Sequence, residues 1–287
     1  MDRETELAIV RRAYARQILA AAGVADARIE AAYAAVRRED FLGPGPWKIV
    51  RDLSHYVQTP SADPACLYTD DPIGIVPEQQ INNGQPSFHA SLIAQAMPKA
   101  GEHVVHVGAG VGYYSAIFAQ LVGSGGRVTA IEFLPELAIR AKANLQALSH
   151  VEVLQGDGAA MPFREADVIY VNAGASRPAD NWLDRLATGG RLILPLTTDK
   201  GFSDAFDKIT SGVVFRIMRR GDEYYASWAS SVAIFPCAGS RDEASEHALA
   251  AALLNGGERN VSRLYRHDLF PAERCWLRAP GWCLAYD

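Results

Sequence analysis

The sequence predicts an α/β fold in which helices cover a mostly parallel β-sheet. Short apolar runs rich in Val, Ile and Leu alternate with helical patterns through the middle of the chain. Strands that alternate with helices need right-handed crossover connections, which favour parallel pairing. Each run also ends in a small or polar residue, as strands do at an edge that binds ligands. The predicted strands are 104–107, 127–131, 151–154, 167–171 and 190–195.

The most informative motif joins the first predicted strand to a helix. The residues of strand 104–107 lead into Gly108, Gly110 and Gly112, and a helical pattern follows at 113–121. Glycines let the backbone approach a ligand closely, and a helix N-terminus offers free N–H groups. Strand, glycine turn and helix therefore indicate a nucleotide-binding unit of a Rossmann-like, doubly wound sheet.

The spacing of the glycines separates two classes of ligand. Dinucleotide enzymes use G-x-G-x-x-G, which would require glycine at position 113, where this chain has Tyr113. The motif here is G-x-G-x-G, which suits S-adenosylmethionine because that molecule has no pyrophosphate to bind. A tight turn without a ligand is the alternative explanation of the triplet.

The ends of the next three predicted strands carry acidic or amide side chains. Glu132 closes the second strand, where such folds bind the hydroxyls of a ribose. Asp157 and Gly158 follow the third strand, and Asn172 follows the fourth. Because ligands bind along this edge of a parallel sheet, these residues favour the ligand-binding interpretation over a simple turn.

Two helices and an irregular stretch are predicted before the glycine motif. The first helix stops near Gly23, and the second covers 27–38 with apolar residues at helical spacing. Residues 43–46 (Gly-Pro-Gly-Pro) break the chain, and residues 47–85 show little periodicity. Such a stretch is usually functional or mobile, so it is interpreted either as a cover over the substrate side of the cleft or as a surface connection.

Further helices are predicted at 87–97 and 134–148, and the C-terminal part predicts antiparallel strands and an extension. Two β-like runs, 213–220 and 224–235, are joined by Gly221 and Asp222, a hairpin signal. A helix at 243–254 and an aromatic tail follow, which form an added packing layer, an accessory cap or an interface. The expected domains are an N-terminal helical and substrate-side loop region (1–85), a Rossmann-like core (86–240) and a C-terminal extension (241–287).

Several segments together resemble the protein-L-isoaspartate O-methyltransferase family, a group of class I S-adenosylmethionine-dependent methyltransferases. The resemblance runs over residues 31–239. Its segments are 36–42 (Val-Arg-Arg-Glu-Asp-Phe-Leu), 68–72 (Tyr-Thr-Asp-Asp-Pro), Gln85-Pro86, the glycine loop continuing into Tyr113, 156–158 and 189–195. The resemblance implies methyl transfer from S-adenosylmethionine to the carboxylate of L-isoaspartyl residues in damaged proteins, with S-adenosylhomocysteine as product.

The resemblance also implies which residues bind each partner. The expected cosubstrate residues are His106, Gly108, Ala109, Gly110, Gly112, Glu132, Phe133, Asp157, Gly158 and Asn172. The expected substrate-binding residues are Asn82, Gly84, Gln85, Ser87 and His89. Asn83 is the candidate catalytic residue, since its amide can donate a hydrogen bond to a carboxylate.

Two positions depart from the family's pattern. The family usually has an acidic residue two positions before the first glycine, where it helps to orient the amino group of the cosubstrate, and this chain has His106. The family's substrate loop usually reads Gln-Thr-Ile-Ser, whereas the matching segment 81–84 is Ile-Asn-Asn-Gly. Two alternatives therefore stay open: a methyltransferase for another carboxylate or small molecule, and a non-catalytic S-adenosylmethionine-binding module.

The proposed chemistry does not need a general base. A carboxylate with a pKa of about 4 is ionised at neutral pH and can attack a sulfonium methyl group directly. Alignment of the two partners can supply about 7–11 kcal/mol of the barrier reduction. The lack of a recognisable catalytic triad or acid pair is therefore compatible with an enzyme.

Composition and charge limit the other classes of function. The net charge is −5 and the arginine pairs are scattered, which argues against nucleic acid as a partner. No apolar run approaches the roughly 18 residues of a membrane span, and the charged N-terminus does not resemble a signal peptide. The four cysteines form no C-x-x-C pair, so free thiols are expected rather than a metal site. We expect a cytoplasmic protein that acts on a protein or peptide carboxylate, as a monomer or a dimer.

Overall fold

The computed structural model describes residues 2–51, 55–198 and 210–287. The helices are α1 (Arg3–Ala22), α2 (Ala27–Ala35), α3 (Glu39–Leu42), α4 (Pro86–Ala96), α5 (Tyr113–Val122), α6 (Pro135–Leu145), α7 (Asp180–Arg185) and α8 (Glu243–Asn255). The strands are β1 (Lys48–Arg51), β2 (His55–Gln58), β3 (Gly74–Val76), β4 (Ile81–Asn82), β5 (His103–Val107), β6 (Arg127–Glu132), β7 (Val151–Gln155), β8 (Ala166–Val171), β9 (Leu186–Thr198), β10 (Thr210–Arg220), β11 (Glu223–Ile234), β12 (Arg263–Tyr265), β13 (Cys275–Ala279) and β14 (Trp282–Ala285). None of the described helices combines the length and the apolar character that a membrane span requires.

The chain divides into two compact units. The first unit contains Met1–Glu102 and Ala109–Gln155, and the second contains His103–Gly108 and Gly156–Asp287. The glycine motif is therefore shared, because Gly108 belongs to the second unit and the rest of the motif to the first. The division into 1–85, 86–240 and 241–287 stays a prediction.

Helices dominate the first unit. Helix α1 is capped at its start by Asp2, whose carboxylate accepts a hydrogen bond from the N–H of Thr5, and at its end by Gly23 in the left-handed conformation. It packs against α2 and α4, and α2 also contacts α5. Strands β6 and β7 pair in parallel, with α6 against both of them. The predicted stop near Gly23 is confirmed, and the second helix is three residues shorter than the predicted 27–38.

The stretch between residues 47 and 85 is more regular than the sequence indicated. Strands β1 and β2 form one antiparallel pair, and β3 and β4 form another. The strands are only two to four residues long, too short for a periodic pattern to be recognised. A buried cluster holds this part of the unit together, and its members are Leu42, Trp47, Ile49, Leu67 and Ile73.

The second unit is built on eight strands in the order β13-β14-β12-β11-β10-β9-β8-β5. Strand β8 pairs in parallel with β5 and β9, and every pair from β9 to β13 is antiparallel. The hairpin predicted at Gly221 joins β10 to β11, with Arg220 opposite Glu223. The predicted parallel core and antiparallel C-terminal strands are therefore confirmed.

The C-terminal extension contains more strand than the sequence indicated. The predicted helix at 243–254 is present as α8, which contacts β9 and β13. The aromatic tail is not irregular, because β12, β13 and β14 add to the sheet beside β11. Trp276 and Trp282 are buried in this layer. The extension thus forms an added packing layer, and its strands were missed because they are short and do not alternate with helices.

Candidate functional site

The glycine loop has the backbone conformation that its sequence predicts. Gly108, Gly110 and Gly112 have φ values of 76°, 57° and 93°, a region that other L-residues rarely adopt. A Cβ atom on Gly112 would lie 2.7 Å from the side chain of Leu145, so close packing on α6 requires glycine there. A Cβ atom on Gly110 would meet only Ile75, at 3.7 Å. The loop therefore leaves room for a ligand beside Gly110, as a nucleotide-binding loop must.

Glu132 holds this loop in place. One oxygen of its carboxylate accepts a hydrogen bond from the N–H of Gly110 at 2.7 Å, and the other accepts one from the N–H of Leu134 at 2.9 Å. The side chain is buried, and burial raises the pKa of its carboxyl group. A carboxylate has about four acceptor positions. Two are used here, so acceptor capacity remains for the ribose hydroxyls predicted at this place.

Phe133 presents an aromatic surface next to this carboxylate. Its side chain is 51% exposed, although large apolar residues are usually buried. Its carbonyl oxygen accepts a hydrogen bond from the side-chain amide of Gln155 at 3.1 Å, which fixes the backbone at this point. An exposed ring can stack on the flat face of a base.

The acceptor loop, residues 82–85, follows β4 and is held by Asn83. The N–H of Asn83 donates to the carbonyl of Ile73 at 3.0 Å, and the side-chain oxygen accepts from the N–H of Ile73 at 2.7 Å. The side chain is only 6% exposed, and its amide nitrogen has no hydrogen-bond partner among the described residues. A buried donor without a partner is unfavourable, so Asn83 is suited to donate to an incoming group.

Gly84 of the acceptor loop fits against His89 of α4. The N–H of Gly84 donates to the side chain of Asn82 at 2.8 Å, and Gly84 has a φ of 74°. A Cβ atom at this position would collide with the Nε2 atom of His89. The imidazole of His89 is buried and stacks on the ring of Tyr114, with 3.8 Å between the ring centres. The absence of a side chain at residue 84 is therefore required by the position of His89.

Asp70 also belongs to this region, although no sequence pattern marked it as a site residue. Its carboxylate accepts hydrogen bonds from the N–H of Ser87 (2.7 Å), the hydroxyl of Ser87 (2.6 Å) and the side-chain amide of Gln85 (3.0 Å). It thereby caps α4, whose own N-cap residue, Gln85, provides no capping side chain. Glutamine is not a favoured N-cap residue, so the sequence Gln85-Pro86 at the start of a helix could have indicated that another residue caps it.

Two contacts within the first unit bring the acceptor loop to the glycine loop. The side chain of Ile75, in β3, lies beside Gly110, and β3 pairs with β4 just before the acceptor loop. His89 stacks on Tyr114, in the first turn of α5 immediately after Gly112. Two loops predicted for different ligands are thus neighbours, as methyl transfer between those ligands requires.

In the second unit, Asp157 and Gly158 are held by hydrogen bonds from neighbouring groups. The carboxylate of Asp157 accepts a hydrogen bond from the N–H of Ala159 at 2.9 Å, and a Cβ atom on Gly239 would collide with both carboxylate oxygens. The carbonyl of Gly158 accepts from the indole N–H of Trp182 at 2.8 Å. No sequence motif indicated that Gly239 lies against Asp157, because the two are far apart along the chain.

Asn172 joins the ends of β8 and β5 in the second unit. Its N–H donates to the carbonyl of Val107 at 2.8 Å, and its side-chain amide donates to the carbonyl of Gly108 at 3.3 Å. A Cβ atom on Gly108 would lie 2.9 Å from the carbonyl oxygen of Asn172. The first glycine of the motif is therefore required for close approach of these two strand ends.

His106 differs from the other predicted cosubstrate residues because it is fully buried. Its ring meets that of Tyr170 edge to face, with 5.6 Å between the centres. Burial lowers the pKa of the imidazole from 6.5 to about 3, so the ring is neutral at physiological pH. An acidic side chain at this position would carry a charge that His106 does not. Its contact with the cosubstrate stays a prediction.

Comparisons with known proteins agree with this geometry. The model of the family described as protein-L-isoaspartate(D-aspartate) O-methyltransferase (PCMT) matches residues 16–219. Protein-L-isoaspartate O-methyltransferase 2 of Archaeoglobus fulgidus is 33% identical over 183 residues, which cover 62% of this chain and 83% of that protein. Protein-L-isoaspartate O-methyltransferase 1 of Rhodopseudomonas palustris is 36% identical over 203 residues, which cover 69% and 74%.

Solved structures show the same fold. A protein-L-isoaspartate O-methyltransferase structure has a TM-score of 0.59 at 21% identity and covers 89% of this chain and 74% of its own. A putative Plasmodium falciparum enzyme of the same description, in complex with S-adenosyl-L-homocysteine, has a TM-score of 0.60 at 16% identity and covers 79% and 97%. The Rossmann-like α/β class predicted from the sequence is confirmed.

Proposed function

Because the chain belongs to the protein-L-isoaspartate(D-aspartate) O-methyltransferase family, we propose that it methylates the side-chain carboxylate of L-isoaspartyl residues in damaged proteins and peptides. The methyl donor is S-adenosylmethionine. The observation that carries the proposal is the family match over residues 16–219, which contains both the glycine loop and the acceptor loop. The contacts between those two loops support it, because donor and acceptor must meet.

The first unit supplies the residues for the sugar and one face of the base. Gly110 leaves its backbone open to the cosubstrate, and the Glu132 carboxylate accepts hydrogen bonds from the ribose hydroxyls. The exposed ring of Phe133 stacks on the adenine. Gly112 and Ala109 shape the loop, since the N–H of Gly112 donates to the carbonyl of Ala109 at 2.9 Å. Bound S-adenosylmethionine supplies a methyl group on a positively charged sulfur and leaves as S-adenosylhomocysteine.

The other predicted cosubstrate residues belong to the second unit. Asp157 and Gly158 are its proposed adenine residues, and the missing side chain at Gly239 leaves room for the Asp157 carboxylate. Asn172 and Gly108 form the strand ends from which the motif departs. His106 is buried and neutral in this unit, and its contact with the amino group of the cosubstrate stays a prediction.

Asn83 is the residue proposed to act on the acceptor. Its unpartnered amide N–H donates to one oxygen of the substrate carboxylate and leaves the other oxygen free to attack. The oxygen that Asn83 does not bind forms a bond to the methyl carbon, while the carbon–sulfur bond breaks and its electron pair stays on sulfur. No proton moves, so Asn83 binds and orients without acting as a base. Asn82, Gly84, Gln85, Ser87 and His89 shape the loop around it.

The remaining properties follow from composition and are part of the same proposal. A net charge of −5 with scattered arginines favours a protein or peptide substrate over nucleic acid. We place the enzyme in the cytoplasm, where aged proteins are accessible to it, and its four free thiols are consistent with that compartment.

The test is methyl transfer from radiolabelled S-adenosylmethionine to an isoaspartyl peptide and, in parallel, to its normal aspartyl twin. We expect label on the isoaspartyl peptide only, and we expect mild base to release it, because carboxyl methyl esters hydrolyse while N-methyl groups do not. Label on neither peptide, with S-adenosylmethionine still bound, would contradict the proposed substrate. Equal label on both peptides would contradict the proposed selectivity.

A further inference from the structure

Arg38 is a buried cation in the first unit. Its side chain is 0% exposed, and it forms no ion pair with a carboxylate in the described part of the chain. Its guanidinium donates instead to backbone carbonyls of one segment, residues 67–71. The acceptors are Leu67, Thr69 (2.9 Å) and, in a longer contact, Asp71 (3.5 Å). Because a buried charge is costly unless it is hydrogen-bonded, Arg38 and this segment must keep one relative position.

The same guanidinium also contacts two aromatic rings. Its central carbon lies 5.5 Å from the ring centre of Tyr14 and 5.7 Å from that of Tyr113. Tyr113 is the first residue of α5 and directly follows Gly112. Arg38 therefore fixes segment 67–71 relative to the helix that starts at the glycine loop.

Asp70 connects the same segment to the acceptor loop. It lies between two of the carbonyls that Arg38 binds, and its carboxylate caps α4 at Ser87 and binds Gln85. A carboxylate at a helix N-terminus also interacts favourably with the helix dipole. Ile73, which follows this segment after Pro72, binds Asn83 twice. Its N–H donates to the side-chain oxygen of Asn83, and its carbonyl accepts from the Asn83 N–H. Segment 67–73 thus contacts the acceptor loop on both sides of Gly84.

We propose that Arg38 and Asp70 are positioning residues that set the place of the Asn83 amide relative to the glycine loop. Arg38 holds segment 67–71 against Tyr113, and Asp70 transmits that position to Ser87 and Gln85. On this proposal Ser87 acts through Asp70 and not by touching the acceptor. The inference rests on the proposed function, because it assigns these residues to the acceptor step of that reaction.

Amide hydrogen exchange tests the positioning without any substrate. Asp70→Ala removes the acceptor of the Ser87 N–H, so exchange in the peptide covering residues 82–90 should become faster. Asp71→Asn is the matched control, since the carboxylate of Asp71, the next residue, contacts Arg51 and not α4. Asp70→Asn keeps one acceptor oxygen and should lie between the two. Equal exchange in Asp70→Ala and Asp71→Asn would overturn the proposal.

Kinetics on the same full-length variants separate positioning from general damage. We expect Asp70→Ala to raise the KM for an isoaspartyl peptide by about tenfold, with the Kd of S-adenosylmethionine unchanged within about twofold. Arg38→Lys, which keeps the charge but cannot reach the same set of carbonyls, should shift the KM in the same direction. An equal loss of cosubstrate binding would overturn the positioning role.

A double-mutant cycle with Ser87→Ala tests the route of the effect. If Ser87 acts through Asp70, the double variant should be no worse than Asp70→Ala alone. Additive losses in KM would show that Ser87 touches the acceptor itself and would overturn this part of the proposal. If the wild-type chain methylates no isoaspartyl peptide, the proposed function fails, whereas the exchange experiment still tests whether Asp70 positions the loop.

Discussion

The glycine loop and the acceptor loop of the first unit are adjacent but are stabilised in different ways. The glycine loop is held by residues that follow it along the chain: the N–H of Gly110 donates to Glu132, and the side-chain amide of Asn144 donates to the carbonyl of Val111 at 2.9 Å. The acceptor loop is held by an earlier segment that contains Asp70 and Ile73. The cosubstrate side therefore follows a recognisable strand–turn–helix pattern, while the acceptor side depends on contacts that no short motif predicts.

The largest expected effect is on the cosubstrate side. Glu132→Ala removes the acceptor of the Gly110 N–H and the predicted ribose contact, so the binding free energy of S-adenosylmethionine should weaken by about 1.5–3 kcal/mol. Isothermal titration calorimetry measures this directly. Glu132→Gln keeps the shape and one acceptor oxygen, so its loss should be smaller. Unchanged affinity in Glu132→Ala would place the ribose elsewhere.

A comparable effect is expected on the acceptor side from Gly84→Ala. The new methyl group would collide with His89, and such overpacking destabilises a folded structure by about 1–3 kcal/mol. The KM for the isoaspartyl peptide should rise, while the Kd of S-adenosylmethionine should not.

Gly101→Ala is the control for this substitution. Gly101 also has a positive φ, 83°, but a Cβ atom there has nothing within 4 Å. The two variants share the backbone strain and differ in the collision. If both change the KM equally, the contact between Gly84 and His89 does not shape the acceptor site.

His106 should affect stability in acid more than cosubstrate binding. Because the folded-state pKa is about 3 against 6.5 for the unfolded chain, the unfolded state takes up a proton first as the pH falls. The contribution of His106 to the free energy of unfolding is present above pH 6.5 and is lost progressively as the pH falls from there toward 3, by roughly 1 kcal/mol per pH unit at most. Urea unfolding at several acidic pH values should show that the free energy of unfolding of His106→Gln decreases less steeply with falling pH than that of the wild type. An identical slope would mean that His106 titrates normally.

The smallest effect is expected from Gly239→Ala. Its Cβ atom would displace the Asp157 carboxylate, which is the flexible end of a side chain, so the fold should tolerate the change. The affinity for S-adenosylmethionine should fall by less than about tenfold, near the value of one neutral hydrogen bond. Gly125→Ala, with an open surrounding and no positive φ, should leave the affinity unchanged. A similar loss in both variants would remove Asp157 from the adenine site.

The elements that the sequence predicted correctly share a physical property. The strands of the parallel core and α5 were recognised because apolar runs alternate there with helical patterns, and the hairpin at Gly221 because it has a characteristic turn. The pairs β1–β2 and β3–β4 and the three C-terminal strands were missed because they are no longer than β5 and do not alternate with helices.

The candidate site divides in the same way. Glu132 could be predicted because it ends a strand next to a glycine motif, and the structure shows it binding that motif. The cap that Asp70 provides for Ser87 could not, because no known motif connects the two residues. The contact of Gly239 with Asp157 was missed for the same reason.

The most direct test of the central claim, that Asn83 receives the isoaspartyl carboxylate beside an intact cosubstrate site, uses Asn83→Asp. Aspartate still accepts the hydrogen bond from Ile73, but it replaces the free N–H donor with a negative charge that repels a carboxylate. Methyl transfer to the isoaspartyl peptide and the Kd of S-adenosylmethionine are measured on the same sample. We predict that transfer is lost while the Kd is unchanged. Transfer at the wild-type rate would contradict the account.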